Sequence, residues 1–290
     1  MKKLDVNTLF ERYLSLWELV ESTRVNYIRM WELHVKDEIG RMRVVQVRPS
    51  HIKALYAKMS RSDYARNTIK LIHDLIFPAF EMAVEDDIIR KNPAKDALRD
   101  YGADAKEKTA LSVEQQEAVL KFAEESSIYN MYVPMLQIMI GTALRCGELI
   151  GLTWNDVDME NHVVNIDHQL VYKNHGDGKG HCFHRHEPKT DAGNRSIPMT
   201  DAVRNAFVEQ RKSQFLMGIN RDIEVEGMKG FVFTSKNGNP LMPSAVNNVL
   251  YNIVKAYNKK EQELAKKERR KAVLLPKFSA HVLRLSLIHI

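Results

Sequence analysis

Apolar side chains recur every three to four positions through roughly the first hundred residues, a period that suits helices and leaves no room for a sheet there. Phe10, Tyr13, Leu14 and Trp17 form one stripe; Tyr27, Met30, Trp31 and Val35 form another, with Thr23 as the expected cap. "RPSHIKALYAKMS" continues the pattern with Ser50 as its expected cap and Ile52, Leu55, Tyr56 and Met59 on one face. A longer helical stretch runs from about Asn67 to Ile89, where Pro78 is expected to kink or divide it. Together these segments predict a compact helical domain over residues 1–95.

The texture then changes. "KNPAKDALRDYGADAKEKTA" has no sustained apolar period and is rich in charge, so residues 96–108 read as a linker. Helical signal resumes at Ser112-Val-Glu-Gln115, a capping-box pattern, and continues through residues 128–152. Strand-like alternation follows in "HVVNID" and "GHCFHRH", with "NHGDGKG" as a turn, "RSIPM" as a third strand and "GFVFTS" as another. Thr200-Asp201 opens a helix, and Ser244 is the expected cap of "AVNNVLYNIVKAY". The fold class is therefore mainly α: a helical first domain, then a mostly helical domain over 109–290 with a small antiparallel β-sheet.

Charge narrows the function. The net charge is +6, and the stretch from Lys255 to Lys277 alone holds nine Lys/Arg against three Glu. Basic clusters attract polyanions through counterion release, so nucleic acid is the expected partner, with a merely solvated lysine-rich helix as the alternative. No run approaches the roughly 18 apolar residues of a membrane helix. The two cysteines, Cys146 and Cys182, fit a reducing cytoplasm better than a disulfide framework.

Three short stretches carry chemistry. In "GTALRCGELIGLTWNDVD", a helix over 143–152 would put Arg145 on one face with Leu149 and Leu152. A guanidinium on an apolar stripe needs a partner or an anionic ligand. Glu148 can orient it, either as a purely structural pair or beside a bound anion. "EPKTDAGNRSIPM" places Lys189 at a strand end before a glycine-containing turn, where it either reaches across a groove or is solvated. "HVLR" puts His281 and Arg284 on one helical face, a pairing that suits phosphate: a two-pronged donor beside a movable proton. A competing site is "HGDGKGHCFHRHEPK", whose His175, His181, Cys182, His184 and His186 are all possible zinc ligands, although an exposed hairpin contacting DNA is the simpler account.

In this order and these contexts, Arg145, Lys189, His281 and Arg284 resemble the active-site series of the tyrosine recombinase (phage integrase) family. "STRVNYIRMWELHV" and "FEMAVEDDIIRKNPA" resemble its core-binding domain, so the likeness spans nearly the whole chain and is nearest to conjugative-transposon and prophage integrases. The resemblance implies attack of a tyrosine hydroxyl on a backbone phosphate, giving a 3′-phosphotyrosine and a free 5′-hydroxyl, with no metal or nucleotide cofactor. It implies that Arg145 and Arg284 hold the non-bridging oxygens and Lys189 protonates the leaving 5′-oxygen. His281 would assist proton transfer, and Glu148 would support Arg145. Double-stranded DNA is the implied partner, bound by four protomers on paired sites.

The pattern departs from the family at one point. No tyrosine follows His281; the ten tyrosines end at Tyr257, on the wrong side of the motif, and His289 is too close to Arg284 to be the family's second histidine. The nucleophile is thus absent from this chain. "LSLIHI" reads as the product of a frameshift or an incomplete gene, and the polypeptide is expected not to cleave DNA. Some family members carry an arm-binding domain first, whereas this sequence enters the core-binding helices within about five residues. The alternative is a non-enzymatic DNA-binding protein that occupies recombination sites.

Overall fold

The structure is a computed structural model describing residues 4–98, 101–102, 109–174, 178, 180–188 and 193–288. It divides into two compact units, one within Met1–Glu107 and one built from Lys108–Asn174 and Lys179–Ile290.

Among the described residues the first unit holds four α-helices: α1 (Val6–Ser15), α2 (Glu21–His34), α3 (Pro49–Arg61) and α4 (Arg66–Glu85). Asp5 caps α1 by accepting from the Thr8 amide at 2.8 Å. Phe10 stacks on Trp31 at 3.8 Å, and the Trp31 indole donates to Asn7 Oδ1 at 2.9 Å, which fixes α1 on α2. Leu9, Ile52, Tyr56, Ile69, Ile76 and Phe80 fill the core.

Several boundaries differ from the sequence reading. The α2 helix begins at Glu21 after Val20, ahead of Thr23; α3 begins at Pro49 after Arg48, so Ser50 lies inside it, because proline suits the first helical turn. Trp17 lies beyond the end of α1 and is 56% exposed. The α4 helix runs through Pro78 unbroken. The segment read as a linker starts as packed chain: Ala94 and Ala97 are buried, and Tyr101 meets the edge of Tyr56. Small apolar side chains there close the base of the bundle, a role that periodicity does not register.

The second unit holds α5 (Val113–Glu125), α6 (Val133–Thr142), α7 (Cys146–Gly151), α8 (Asp201–Leu216), α9 (Pro243–Glu268) and α10 (Ala280–Ile288). The capping box of α5 forms as read, with Ser112 and Gln115 bonding each other's amides. Thr200 caps α8. Ser244 does not cap α9; Met242 precedes that helix, which Pro243 opens.

Among the described residues there are two small antiparallel sheets where the sequence suggested one. Strands β1 (Val157–Asp158), β2 (Val163–Ile166) and β5 (Arg195–Pro198) lie in the order β1-β2-β5, with Val164 opposite Ile197 and Ile166 opposite Arg195. Strands β3 (Gln169–Asn174) and β4 (His181–His186) form a separate hairpin. "GFVFTS" makes only isolated bridges, Thr153 to Phe231 and Thr234 to Pro240. Its Phe231, Val232 and Phe233 are all buried, so no alternating face develops.

The core of this unit is built from Leu136, Ile138, Leu149, Val164, Phe207 and Leu250. The short α7 lies almost on the backbone of β3. A Cβ on Gly147 would stand 2.9 Å from the Leu170 carbonyl oxygen, and one on Gly151 3.1 Å from the Leu170 amide nitrogen. Glycines one helical turn apart permit that approach. Among the described residues no helix is long and apolar enough to cross a membrane.

Candidate active site

The helix expected over 143–152 does not form as one piece. Ala143 adopts a left-handed conformation (φ 49°) that ends α6, and Arg145 is extended (φ −68°, ψ 151°) as the residue capping α7. Arg145 therefore does not share a helical face with Leu149 and Leu152. Its side chain leaves the corner between two helices and is about half exposed, at 53%. Breaking the helix here directs a cation outward instead of burying it, which lowers its desolvation cost.

Glu148, on the first turn of α7, organises the site. It is only 6% exposed. Its Oε2 accepts from the Arg145 amide at 2.8 Å and its Oε1 from Arg145 Nη1 at 2.7 Å. Arg195, the first residue of β5, donates from Nη1 to Oε1 at 3.1 Å and from Nη2 to Oε2 at 2.7 Å. Burial alone would raise the Glu148 pKa, but the hydrogen bonds from Arg195 and Arg145 outweigh it and hold the carboxyl below its ordinary value.

Arg284 comes from α10. Its Nη1 is buried and has no hydrogen-bond partner among the described residues. Its pKa is lowered, first by burial and then by the neighbouring Arg145 and Arg195 charges, with Glu148 acting in the opposite direction. Two guanidiniums thus share one carboxylate, and the Arg284 charge lies near enough to feel all three groups. The excess charge and the unsatisfied N–H both call for an anion, and a phosphate supplies oxygens that match the fork of an arginine.

The α10 helix is held in place by side chains that periodicity did not single out. Asn247 of α9 accepts from the Ala280 amide at 3.1 Å. Ser286 accepts from the Leu111 amide at 2.8 Å. The segment before α10 is strapped to α9: Asn258 exchanges two hydrogen bonds with Leu275, and Glu261 accepts from the Val273 amide and from Arg270. His281 lies in the first turn of α10 and is exposed. Lys189 lies outside the described residues.

The histidine-rich hairpin gives a partial cluster. Cys182, His184 and His186 share one face of β4, and Cys182 Sγ is 3.2 Å from His184 Nε2. His175 lies outside the described residues, and no third ligand among those described converges on that pair. The grouping that does converge is Asp156, Asp167 and His168. There both ring nitrogens of His168 already face protein oxygens, Nδ1 on Asp167 at 2.5 Å and Nε2 on the Gly151 carbonyl at 2.9 Å, so the ring is engaged within the protein.

Residues 109–288 match the model of the phage integrase family, an interval that contains every arginine of this cluster. The chain belongs to the phage integrase family. It is 32% identical over 232 residues to the transposase from transposon Tn916 of Enterococcus faecalis, covering 79% of this chain and 55% of the relative. A tyrosine recombinase XerC-like protein of Caldanaerobacter subterraneus subsp. tengcongensis is 26% identical over 259 residues, 84% of this chain and 64% of the relative. The chain spans about half the length of the Tn916 relative it matches. Among solved structures, the integrase of transposon Tn1549 in complex with transposon right end DNA superposes with a TM-score of 0.83 at 29% identity, over 98% of this chain and 85% of that one. A lambda integrase dimer on a core site, 14% identical with a TM-score of 0.62, shares the fold. The mainly helical architecture with small antiparallel sheets is that of these tyrosine recombinases.

Arg195 is the site residue that the sequence reading passed over. Its signal was available in "RSIPM", where an arginine starts a strand that leads away from the lysine-bearing turn.

Proposed function

We propose that this chain carries the DNA-binding and phosphate-activating machinery of a site-specific tyrosine recombinase that integrates and excises a mobile element. The observation that carries the reading is the cluster of Arg145, Arg195 and Arg284 around Glu148, with a buried Arg284 N–H left without a partner. In phosphoryl transfer the phosphate gathers negative charge as the attacking and leaving oxygens exchange, so fixed donors aimed at the non-bridging oxygens lower the barrier. Arg145 and Arg284 take that role here. Lys189 delivers a proton to the departing 5′-oxygen, and His281 hydrogen-bonds the phosphate and assists proton transfer. The attacking tyrosine oxygen forms the new P–O bond as the 5′-oxygen leaves, giving a 3′-phosphotyrosine and a 5′-hydroxyl.

On this reading residues 1–95 are a core-binding domain, 96–108 a linker and 109–290 the catalytic domain, and the pair grips a duplex in the cytoplasm. Exposed cations on the second half of α9 and beyond, including Lys259, Lys266, Lys267 and Lys271, favour the DNA backbone. The relatives solved as DNA complexes, and the lambda integrase tetramer on a Holliday junction, support duplex DNA as partner and a tetramer as the working assembly. No tyrosine follows Arg284 within these 290 residues, and occupation of recombination sites without cleavage is the second reading.

A panel of element-end duplexes tests this. Binding followed by anisotropy should weaken steeply with salt, and denaturing gels should show no covalent adduct. Failure of the folded protein to bind any duplex overturns the DNA reading. An adduct mapped to a tyrosine overturns the proposed inactivity.

A further inference from the structure

The Glu148 carboxylate offers about four lone-pair positions. Arg145 takes one on each oxygen, through its amide and Nη1, and Arg195 takes the other on each oxygen through its two terminal nitrogens. The carboxylate is full. Arg145 is consequently held by a single side-chain nitrogen, and neither its Nε nor its Nη2 bonds a described residue. Arg195 has little freedom of its own: its side chain is 26% exposed, and Nη1 also donates to the Gly193 carbonyl at 3.2 Å.

Two guanidiniums compete for one carboxylate, and geometry decides the division. Without Arg195, two acceptor positions on Glu148 become vacant beside Arg145. Its guanidinium can then rotate into a two-pronged pair with Glu148, the arrangement an arginine and a carboxylate prefer. That closed pair would withdraw the donors meant for an anion. A lysine at 195 would keep the charge but not fill both positions.

We propose that Arg195 is a positioning residue for the phosphate site, which it keeps open by occupying Glu148 so that Arg145 retains free N–H groups for a phosphate oxygen. The inference rests on the proposed function above and adds a residue whose part is to restrain a counter-ion, without itself touching the phosphate.

The test uses the full chain, inorganic phosphate as probe, and nitrogen-15 NMR of the arginine side chains. In the unaltered protein, phosphate should shift the Arg145 and Arg284 signals. R195Q should weaken phosphate binding by about tenfold or more, the scale of a lost charged hydrogen bond, and should move the Arg145 signal to a bound-like position before phosphate is added. R195K should not restore binding. In an E148Q background the same Arg195 substitution should have no further effect, because the competition has been removed. If R195Q does not fold, R195K decides.

Phosphate affinity restored by R195K would reduce the role to charge alone and overturn the proposal. Unchanged affinity in R195Q with lowered thermal stability would make Arg195 a structural tie and overturn it as well. If phosphate moves neither Arg145 nor Arg284 in the unaltered protein, the phosphate-site reading itself fails, and the proposal fails with it; that outcome is distinct from a site that binds phosphate regardless of Arg195.

Discussion

Glu148→Gln is the substitution that most directly probes how this site is balanced. The carboxylate is 6% exposed, and its loss leaves the Arg145 and Arg195 guanidiniums without their counter-charge and the nearby Arg284 charge without an opposing one. Removing one partner of a buried ion pair costs roughly 3–5 kcal/mol. Arg145 is half exposed and water screens it, so the lower end applies, about 3 kcal/mol. For a unit of this size that lowers Tm by roughly 6–12 °C. Gln keeps one acceptor oxygen but turns an amino group toward a guanidinium, so it preserves volume and not charge. The assay is thermal unfolding of the unit spanning 109–288, with and without sulfate. Sulfate should recover much of the loss in E148Q and little in the unaltered protein, because an anion replaces the missing charge. A shift under about 2 °C, or a loss that sulfate does not reduce, would refute the view that Glu148 is the counter-ion of a three-arginine site.

Arg284→Met removes a half-buried cation with an unsatisfied N–H, and should stabilise the fold by about 1 kcal/mol while abolishing anion-induced stabilisation; parallel denaturation curves with and without phosphate check both halves. Gly147→Ala places a methyl 2.9 Å from the Leu170 carbonyl oxygen and should cost about 1–3 kcal/mol in urea unfolding, more than Gly151→Ala, whose nearest contact is 3.1 Å. The Glu261 carboxyl is held down to about 2 by its hydrogen bonds from Arg270 and the Val273 amide. A depressed carboxyl contributes stability above its unfolded value of about 4.3 and loses it as pH falls through the folded value. Protection of the Val273 amide against hydrogen exchange should therefore persist at pH 5 and fade on acidification toward pH 2, whereas E261Q should show weak protection throughout.

The helical first unit, the α5 capping box, the α8 cap and the β2, β4 and β5 segments were readable because each rests on local periodicity or a side chain bonding its own turn. The errors fall where neighbours override local preference. The sequence predicts Arg145 within a continuous helix because nothing in "TALRCGEL" besides a single glycine signals a break, whereas the left-handed residue is Ala143. The "RSIPM" strand was recognised, but its pairing with β2 instead of the β3–β4 hairpin depends on contacts distant in sequence. The pairing of Arg195 carries no local signal for the same reason: its partner Glu148 is 47 residues away.

The sequence by itself determined that helices dominate, that a charged segment follows the first bundle, and that Arg145, Glu148, His281 and Arg284 belong to short patterns resembling one family of phosphoryl-transfer sites. These features are encoded within one or two turns of chain, where spacing and capping act directly. Only the tertiary structure decided that two arginines, from α7's cap and from β5, share a single buried carboxylate, beside a buried Arg284 N–H of α10 that has no partner among the described residues. That sharing arises because α7 lies on β3 through two glycines, and because α10 is fixed by Asn247 and Ser286. A carboxylate has few acceptor positions, so how its oxygens are divided depends on which donors the fold brings within 3 Å, and no local pattern records that.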